Sequence, residues 1–302
     1  MSGSCACVAY VKGRDLYVAQ LGDSAAILGV NETDNGATVW TARKLTREHT
    51  IENDTEVKRV RAEHPFSETF TVFRRDRLLG ELVPLRAFGD VRFKWTAQQQ
   101  NAIISTLMGP RLAPANYFTP PYLTSEPSVY YYRLAENDKF LVLASDGFWD
   151  MVFPETVVRL VSNHMTGVQT LMPYRLPAFA NFRTVLDDLR VRKERAKKRP
   201  ADANCATHLI RHGLTSEFAE GNPYAGLSYA LSIPKGAARS YRDDITVVVI
   251  YFHLAIVTDE HAPLISVQVR HFGRLNSLYS LFAMEDAKAA RRINLVVLKF
   301  NV

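Results

Sequence analysis

The stretch Lys139–Asp150, KFLVLASDGFWD, constrains the fold more than any other part of the chain. Phe140, Leu141, Val142, Leu143 and Ala144 form an apolar run of strand type, and it stops at Ser145-Asp146-Gly147. A carboxylate therefore sits where a buried strand reaches the surface. Asp243 and Asp244 stand immediately before the apolar run Ile245–Phe252, and Asp23 lies in a Gly-Asp-Ser turn between two further apolar runs. Singly, each aspartate reads as a turn residue, because Asp-Gly and Asp-Asp are ordinary turn chemistry. Together they place carboxylates at three strand ends. If those ends converge, the repulsion is relieved by protons or by a hard divalent cation with oxygen ligands. Magnesium or manganese suits such a set better than zinc, since no paired Cys/His spacing of the zinc kind occurs.

The chain has 302 residues, 47% hydrophobic and 23% charged, which is ordinary globular material. No apolar run approaches the length needed to cross a bilayer, and the opening MSGSCACVAYVKG has neither a basic amphipathic leader nor a signal-type apolar core. The expectation is a soluble protein with no visible targeting peptide. Cys5, Cys7 and Cys205 are odd in number and irregularly spaced, which predicts reduced thiols. Asn31-Glu32-Thr33 matches a glycosylation sequon but reads as part of a polar loop. The net charge is +6, and much of the excess falls between Arg190 and Arg199, where seven bases accompany one acid, Glu194. That run holds no aromatic residue for base stacking, so acidic or phosphorylated protein surfaces suit it better than nucleic acid.

Along the chain, Ser4–Val11, Asp15–Leu21 and Ala25–Val30 read as strands, with Cys5 and Cys7 on one face of the first. Asn35-Gly36 predicts a type I′ hairpin into a strand over 37–42. A weakly apolar helix is predicted over 50–63, closed by Pro65. Short strands follow at 70–73 and 78–82, then a loop over 84–90 containing Arg86, a helix over 96–108, an irregular proline-punctuated segment to 121, and a strand over 129–134. Helices are expected over 154–165, 184–198 and 203–214. Beyond His253, strands are expected at 265–269 and 294–300 with a short basic helix over 283–292, in a tail that reads either as an extension packed on the domain or, the favoured reading, as poorly ordered sequence of no selected function. Many antiparallel strands followed by helices and a final strand indicate an α+β layered fold, not a βαβ one. No P-loop, GxSxG elbow or GxGxxG occurs.

Six segments, GSCACVAYV, LYVAQLGDSAAIL, LTREHT with Asn53, Glu56 and Arg59, LRAFGD, FLVLASDGFWDMV and YRDDITVVV, resemble in order the motifs of the metal-dependent serine/threonine phosphatases of the PP2C (PPM) family. Within the family, RLLGELVPLRAFGDVRFKW, PPYLTSEP and ATHLIRHGL are similar to the phosphatases of the pyruvate dehydrogenase complex. The resemblance covers roughly residues 2–252 and implies a β-sandwich of antiparallel sheets flanked by helices in α/β/β/α order. It also implies a basic insertion over about 184–202 and an unmatched tail over 253–302. Carried over by position, it implies Asp146 and Asp243 as ligands of a binuclear Mg²⁺ or Mn²⁺ centre, with Asp23 near a looser metal position. Gly147 and Asp244 would shape the loops around them. Arg86 would be a structural loop residue and Trp149 packing beneath the metal loop. The water attacking phosphorus would be metal-activated, so no side-chain nucleophile is required. The implied partners are a phosphoprotein substrate, pyruvate dehydrogenase E1 and the lipoyl-bearing E2 core, and the implied compartment is the mitochondrial matrix.

The sequence also departs from the family pattern. An Asp-Gly-His-x-Gly element, which the family carries upstream of GSCACVAYV, does not occur in this chain. Its absence leads to the expectation of a fragment lacking N-terminal strands, with weak or absent activity. Glu48 stands for the usual Asp of LTxDH, and Ala25 for the usual Arg of GDSR. Two other classes therefore stay open at this point: a phosphatase-like binding protein, and a metal-dependent hydrolase of small phosphoesters.

Overall fold

In the computed structural model, residues 2–34, 37–105, 109, 114–167, 174, 176–198, 202–216, 223–234, 243–253, 264–272 and 295–301 are described. Alternation with period two builds the first strands. In β1 (Gly3–Lys12) and β2 (Asp15–Leu21), Cys5, Cys7, Ala9, Val11, Leu16 and Val18 turn inward. Tyr17 turns outward. β3 (Ala25–Asp34) pairs with β4 (Ala37–Lys44) in a register that sets Asp34 opposite Ala37. The Asn35-Gly36 turn itself lies outside the described residues. The Asn31 sequon is not in a loop: it lies within β3, opposite Trp40, because the hairpin runs on through it.

Helix α1 (Asp54–Ala62) starts at Asn53, whose side chain accepts from the Thr55 amide at 3.2 Å. The strands expected at 70–73 and 78–82 shrink to the two-residue hairpin β5 (Phe73–Arg74) and β6 (Arg77–Leu78). Here the chain turns at Arg75 and Asp76, both in the left-handed region, and Leu78 and Leu79 bury into a local cluster with Val60, Leu85 and Tyr122. In the segment read as a loop, β7 (Phe88–Gly89) pairs with the start of β1. The helix expected over 96–108 is α2 (Ala97–Gln100), capped by Thr96, followed by a wider turn over Asn101–Ser105.

β8 (Ser128–Arg133) and β9 (Asp138–Ala144) lead into α3 (Asp146–Trp149), α4 (Pro154–Thr166), α5 (Phe182–Lys198), α6 (Cys205–Ser216) and α7 (Pro223–Ser232). Helix α7 carries no sharp polar face in the sequence and was not anticipated. β10 (Ile245–His253) follows, then β11 (Leu264–Phe272) and β12 (Leu295–Asn301). The region beyond His253 thus supplies edge strands, β11 to β10 and β12 to β1. The basic helix read over 283–292 lies outside the described residues.

Two antiparallel sheets result, one in the order β12-β1-β2-β8 and the other β11-β10-β9-β3-β4. Their facing sides share a core of Cys7, Leu16, Leu28, Leu141, Leu143, Val248 and Ile250, among others. The other face of the second sheet carries Phe140, Val142, Val247 and Val249 and is covered by Val157 and Val161 of α4 and Leu209 and Ile210 of α6. β9 and β10 are therefore buried on both faces. This explains why they read as continuous apolar runs where an antiparallel strand normally alternates. The outer face of the first sheet presents Tyr17, Val129 and Tyr131 to solvent, with the Tyr17 and Tyr131 rings 5.3 Å apart. Among the described residues the architecture is thus helix layer, sheet, sheet, an α+β sandwich.

Candidate functional site

The pairing of three neighbouring strands brings the aspartates together. Ala144, the last residue of β9, is opposite both Ala25 at the start of β3 and Val247 near the start of β10. Asp146 therefore leaves the sheet at the end where Asp23 and Asp243-Asp244 enter it. This junction is cross-tied. The Ser145 amide donates to the Thr246 carbonyl, and the Ser145 hydroxyl accepts from the Thr246 amide, both at 3.1 Å. Trp149 Nε1 lies 3.1 Å from the Ala144 carbonyl and 3.3 Å from that of Ala25, so one indole pins β9 and β3 beneath the turn. Gly147 lies where any Cβ would come within 2.7 Å of the Asp244 carbonyl oxygen and 3.0 Å of Asp243 Cβ. A glycine at this position lets the two turns approach. Asp243 Oδ1 accepts from the Asp244 amide at 2.7 Å, which fixes its carboxylate over its own backbone.

The electrostatics follow from this crowding. Burial, then the charge of Asp23, then Asp243 and Asp150 push the Asp146 carboxyl up to about 7, against a smaller opposing bond from the Gly147 amide. Asp23 is raised as well, by burial first and then by Asp150 and Asp243. Asp150 is raised by burial, Asp243 and Glu52. The charges bearing on these groups are other carboxylates, so each is easier to protonate than an isolated one. Cys5, on β1, hydrogen-bonds Asp23; burial and that carboxylate raise its thiol pKa, keeping the sulfur neutral. All three cysteines are buried and free of disulfides.

The turn carrying Asp23 is held from behind. Gly22 has φ +96° and sits where a Cβ would lie 2.0 Å from Cys5 Sγ, which excludes a side chain. Its amide donates to His49 Nδ1 at 3.0 Å, and His49 Nε2 lies 2.8 Å from Ser128 Oγ. Accepting at Nδ1 requires the neutral tautomer protonated at Nε2. Burial and the nearby Arg86 guanidinium keep it so, holding the imidazole pKa down to about 4.

Arg86 contacts Glu56 through two bonds, Nε to Oε2 at 2.8 Å and Nη2 to Oε1 at 2.6 Å, and donates from Nη1 to the Glu126 carbonyl at 2.9 Å. Arg59 donates to the same Glu56 Oε2 at 2.9 Å and to the Leu85 carbonyl at 3.2 Å. Glu56, only 3% exposed, thereby anchors two guanidiniums and ties α1 to the 84–90 segment.

An all-oxygen cluster of buried, mutually repelling carboxylates fits a hard divalent cation in place of protons. Among the described residues, no group of three or more His, Cys, Asp or Glu side chains is arranged to hold a metal ion unaided. One or two carboxylates completed by water is the arrangement magnesium commonly takes, and this cluster suits it. Asp150, Glu52 and the Cys5 thiol were not singled out from the sequence. Asp150 had a signal, since it follows Asp146 by four residues, one helical turn; Cys5 and Glu52 had none, because only the tertiary fold brings them near.

The protein phosphatase 2C family model matches residues 1–177, more than half of the chain, so the chain belongs to the PP2C family. Among its relatives, the mitochondrial [pyruvate dehydrogenase [acetyl-transferring]]-phosphatase 1 of Bos taurus is 43% identical over 269 residues, covering 85% of this chain and 48% of that protein. The phosphatase 2 of the same name from Homo sapiens is 45% identical over 259 residues, covering 83% and 48%. A protein phosphatase 2C homolog of Schizosaccharomyces pombe is 36% identical over 257 residues, covering 83% and 53%. The chain spans about half the length of these curated relatives.

Proposed function

We propose that this chain acts in the divalent-metal-dependent dephosphorylation of phosphoserine in proteins, with the phosphorylated E1 of pyruvate dehydrogenase as substrate, the lipoyl-bearing E2 core as docking partner and the mitochondrial matrix as compartment. The observation that carries this reading is the meeting of Asp23, Asp146 and Asp243 at one sheet end, in a PP2C chain. The names of the relatives support the choice of substrate and compartment.

Asp146 and Asp243 would hold a binuclear Mg²⁺ or Mn²⁺ centre, and Asp23 would stand by a further, looser position. Such ions, when bound, supply charge neutralisation at the phosphoryl oxygens and activation of water for in-line attack. The chain's own groups position that chemistry. Gly147 and Asp244 set the approach of the two turns, Trp149 fixes their height above the sheet, and His49 holds the turn of Asp23 through the Gly22 amide. Arg86, with its donors engaged by Glu56 and Glu126, keeps the neighbouring loop in place and is a positioning residue.

The test is release of phosphate from a phosphoserine peptide with Mn²⁺, beside p-nitrophenyl phosphate as a small ester. Manganese-dependent turnover of the peptide, abolished by Asp146→Asn, is expected. Turnover of the small ester alone would replace this reading with a small-phosphoester hydrolase. No turnover of either, with the phosphorylated E1 still bound, would replace it with a binding protein.

A further inference from the structure

Helix α5 differs from the other long helices in what it leaves uncovered. Asn181 caps it, accepting from the Thr184 amide at 2.9 Å. Val185, Asp188 and Arg192, spaced three and four apart, are its half-buried face, and Asp188 accepts from the Tyr174 hydroxyl at 2.9 Å. Beside that face Phe182, Leu186 and Leu189, at i, i+4 and i+7, are exposed, Phe182 by 78%. Lys193 continues the same row and is exposed too. Just ahead of the helix, Leu176 is exposed and Phe179 is fully so, at 105%. Phe179 has φ +63°, a left-handed conformation that costs a bulky side chain energy. Beyond isolated contacts the helix packs against no other described element.

We propose that α5 and the turn before it form a peripheral docking surface for an anionic phospholipid bilayer. Clustered exposed apolar side chains of this size mark an interaction site. The charge chooses the partner: the sequence carries seven bases against one acid between Arg190 and Arg199, and of these Arg190 and Lys193 are exposed beside the apolar row, which favours a negative surface. The acid Asp187 lies 3.8 Å from Arg190 and is balanced within the helix. Phenylalanine and leucine would enter the boundary between headgroups and acyl chains, while the Lys193 stem lies along it and its ammonium reaches the headgroups. Nucleic acid fits poorly, because no aromatic residue stands among the bases. A groove on another protein would take the row Phe182, Leu186 and Leu189, but the apolar surface also extends ahead of the helix to Leu176 and Phe179. That breadth suits a deformable interface. This proposal does not depend on the phosphatase reading.

Co-sedimentation of the full chain with vesicles of phosphatidylcholine and phosphatidylserine, beside phosphatidylcholine alone, tests it. Binding to the anionic vesicles and not to the neutral ones is expected. The double variant Arg190→Gln/Lys193→Gln should weaken binding roughly thirtyfold, from about 1 kcal/mol per base at such a surface. Phe179→Ser/Phe182→Ser should also release the protein, with far-ultraviolet circular dichroism and thermal unfolding unchanged in both variants. No binding to anionic vesicles, or binding that neither variant alters, overturns the proposal. So does self-association in sedimentation equilibrium that Phe179→Ser/Phe182→Ser abolishes without any vesicle binding.

Discussion

Glu56 shows how a residue outside the carboxylate cluster contributes to its surroundings. It is a buried acid with two guanidiniums on one side chain, so removing its charge leaves Arg59 and Arg86 without their shared partner. Glu56→Gln should cost roughly 3 kcal/mol in urea unfolding, in the range for breaking buried ion pairs. The neighbouring Glu63→Gln, at a half-exposed pair with Arg59, should cost under about 1 kcal/mol. His49 gives a pH signature. Its folded pKa of about 4 lies below the ordinary value of 6.5, so between these limits this imidazole binds more protons in the unfolded chain than in the folded one. Stability contributed by neutral His49 is full above pH 6.5 and is lost as pH falls toward 4. The raised Asp146 carboxyl contributes the opposite slope in both proteins, so thermal unfolding of the parent and of His49→Gln should be compared across that window, the parent losing stability relative to the variant as pH falls. The sequence offered Arg86 as a loop residue; that Glu56 would hold it was not legible, because thirty residues separate the two in the chain.

At the scale of elements, β3 and β9 meet at a contact that tolerates no added atom. Gly29 pairs directly with Phe140, and a Cβ on Gly29 would lie 2.1 Å from the Phe140 ring. Gly29→Ala should destabilise the domain by roughly 2 kcal/mol, as overpacking of a filled core does, and the urea midpoint reads it. Strand positions in this region were legible from apolar runs and alternation, and Pro154 marked the start of α4. The 66–123 region was read less well. Its short strands are held by tertiary burial of Leu78, Leu85 and Tyr122, not by any local period, so pattern alone extended them. Helix α7 escaped for the same reason.

For the whole molecule, β11 and β12 close the edges of β10 and β1. A chain ending at His253 would expose both edges, and its backbone donors and acceptors would pair with other copies. Sedimentation velocity should show that shortened chain self-associating while the full chain does not. Divalent ions act on the same scale, since a ligand bound only by the folded state stabilises it by mass action. Mn²⁺ at a hundredfold excess over its dissociation constant should add about 2.7 kcal/mol to the unfolding free energy, an increment that Asp146→Asn removes. By itself the sequence determined the α+β class, the strands that end in carboxylates and membership of a phosphatase family. Those rest on local periodicity and on residues adjacent in the chain. Only the tertiary structure decided which carboxylates share a junction, that Cys5 and Asp150 stand beside them, and that the C-terminal region supplies strands to both sheets. Strand order and register are set by burial between segments distant in sequence, and no local pattern records which strand will lie beside which.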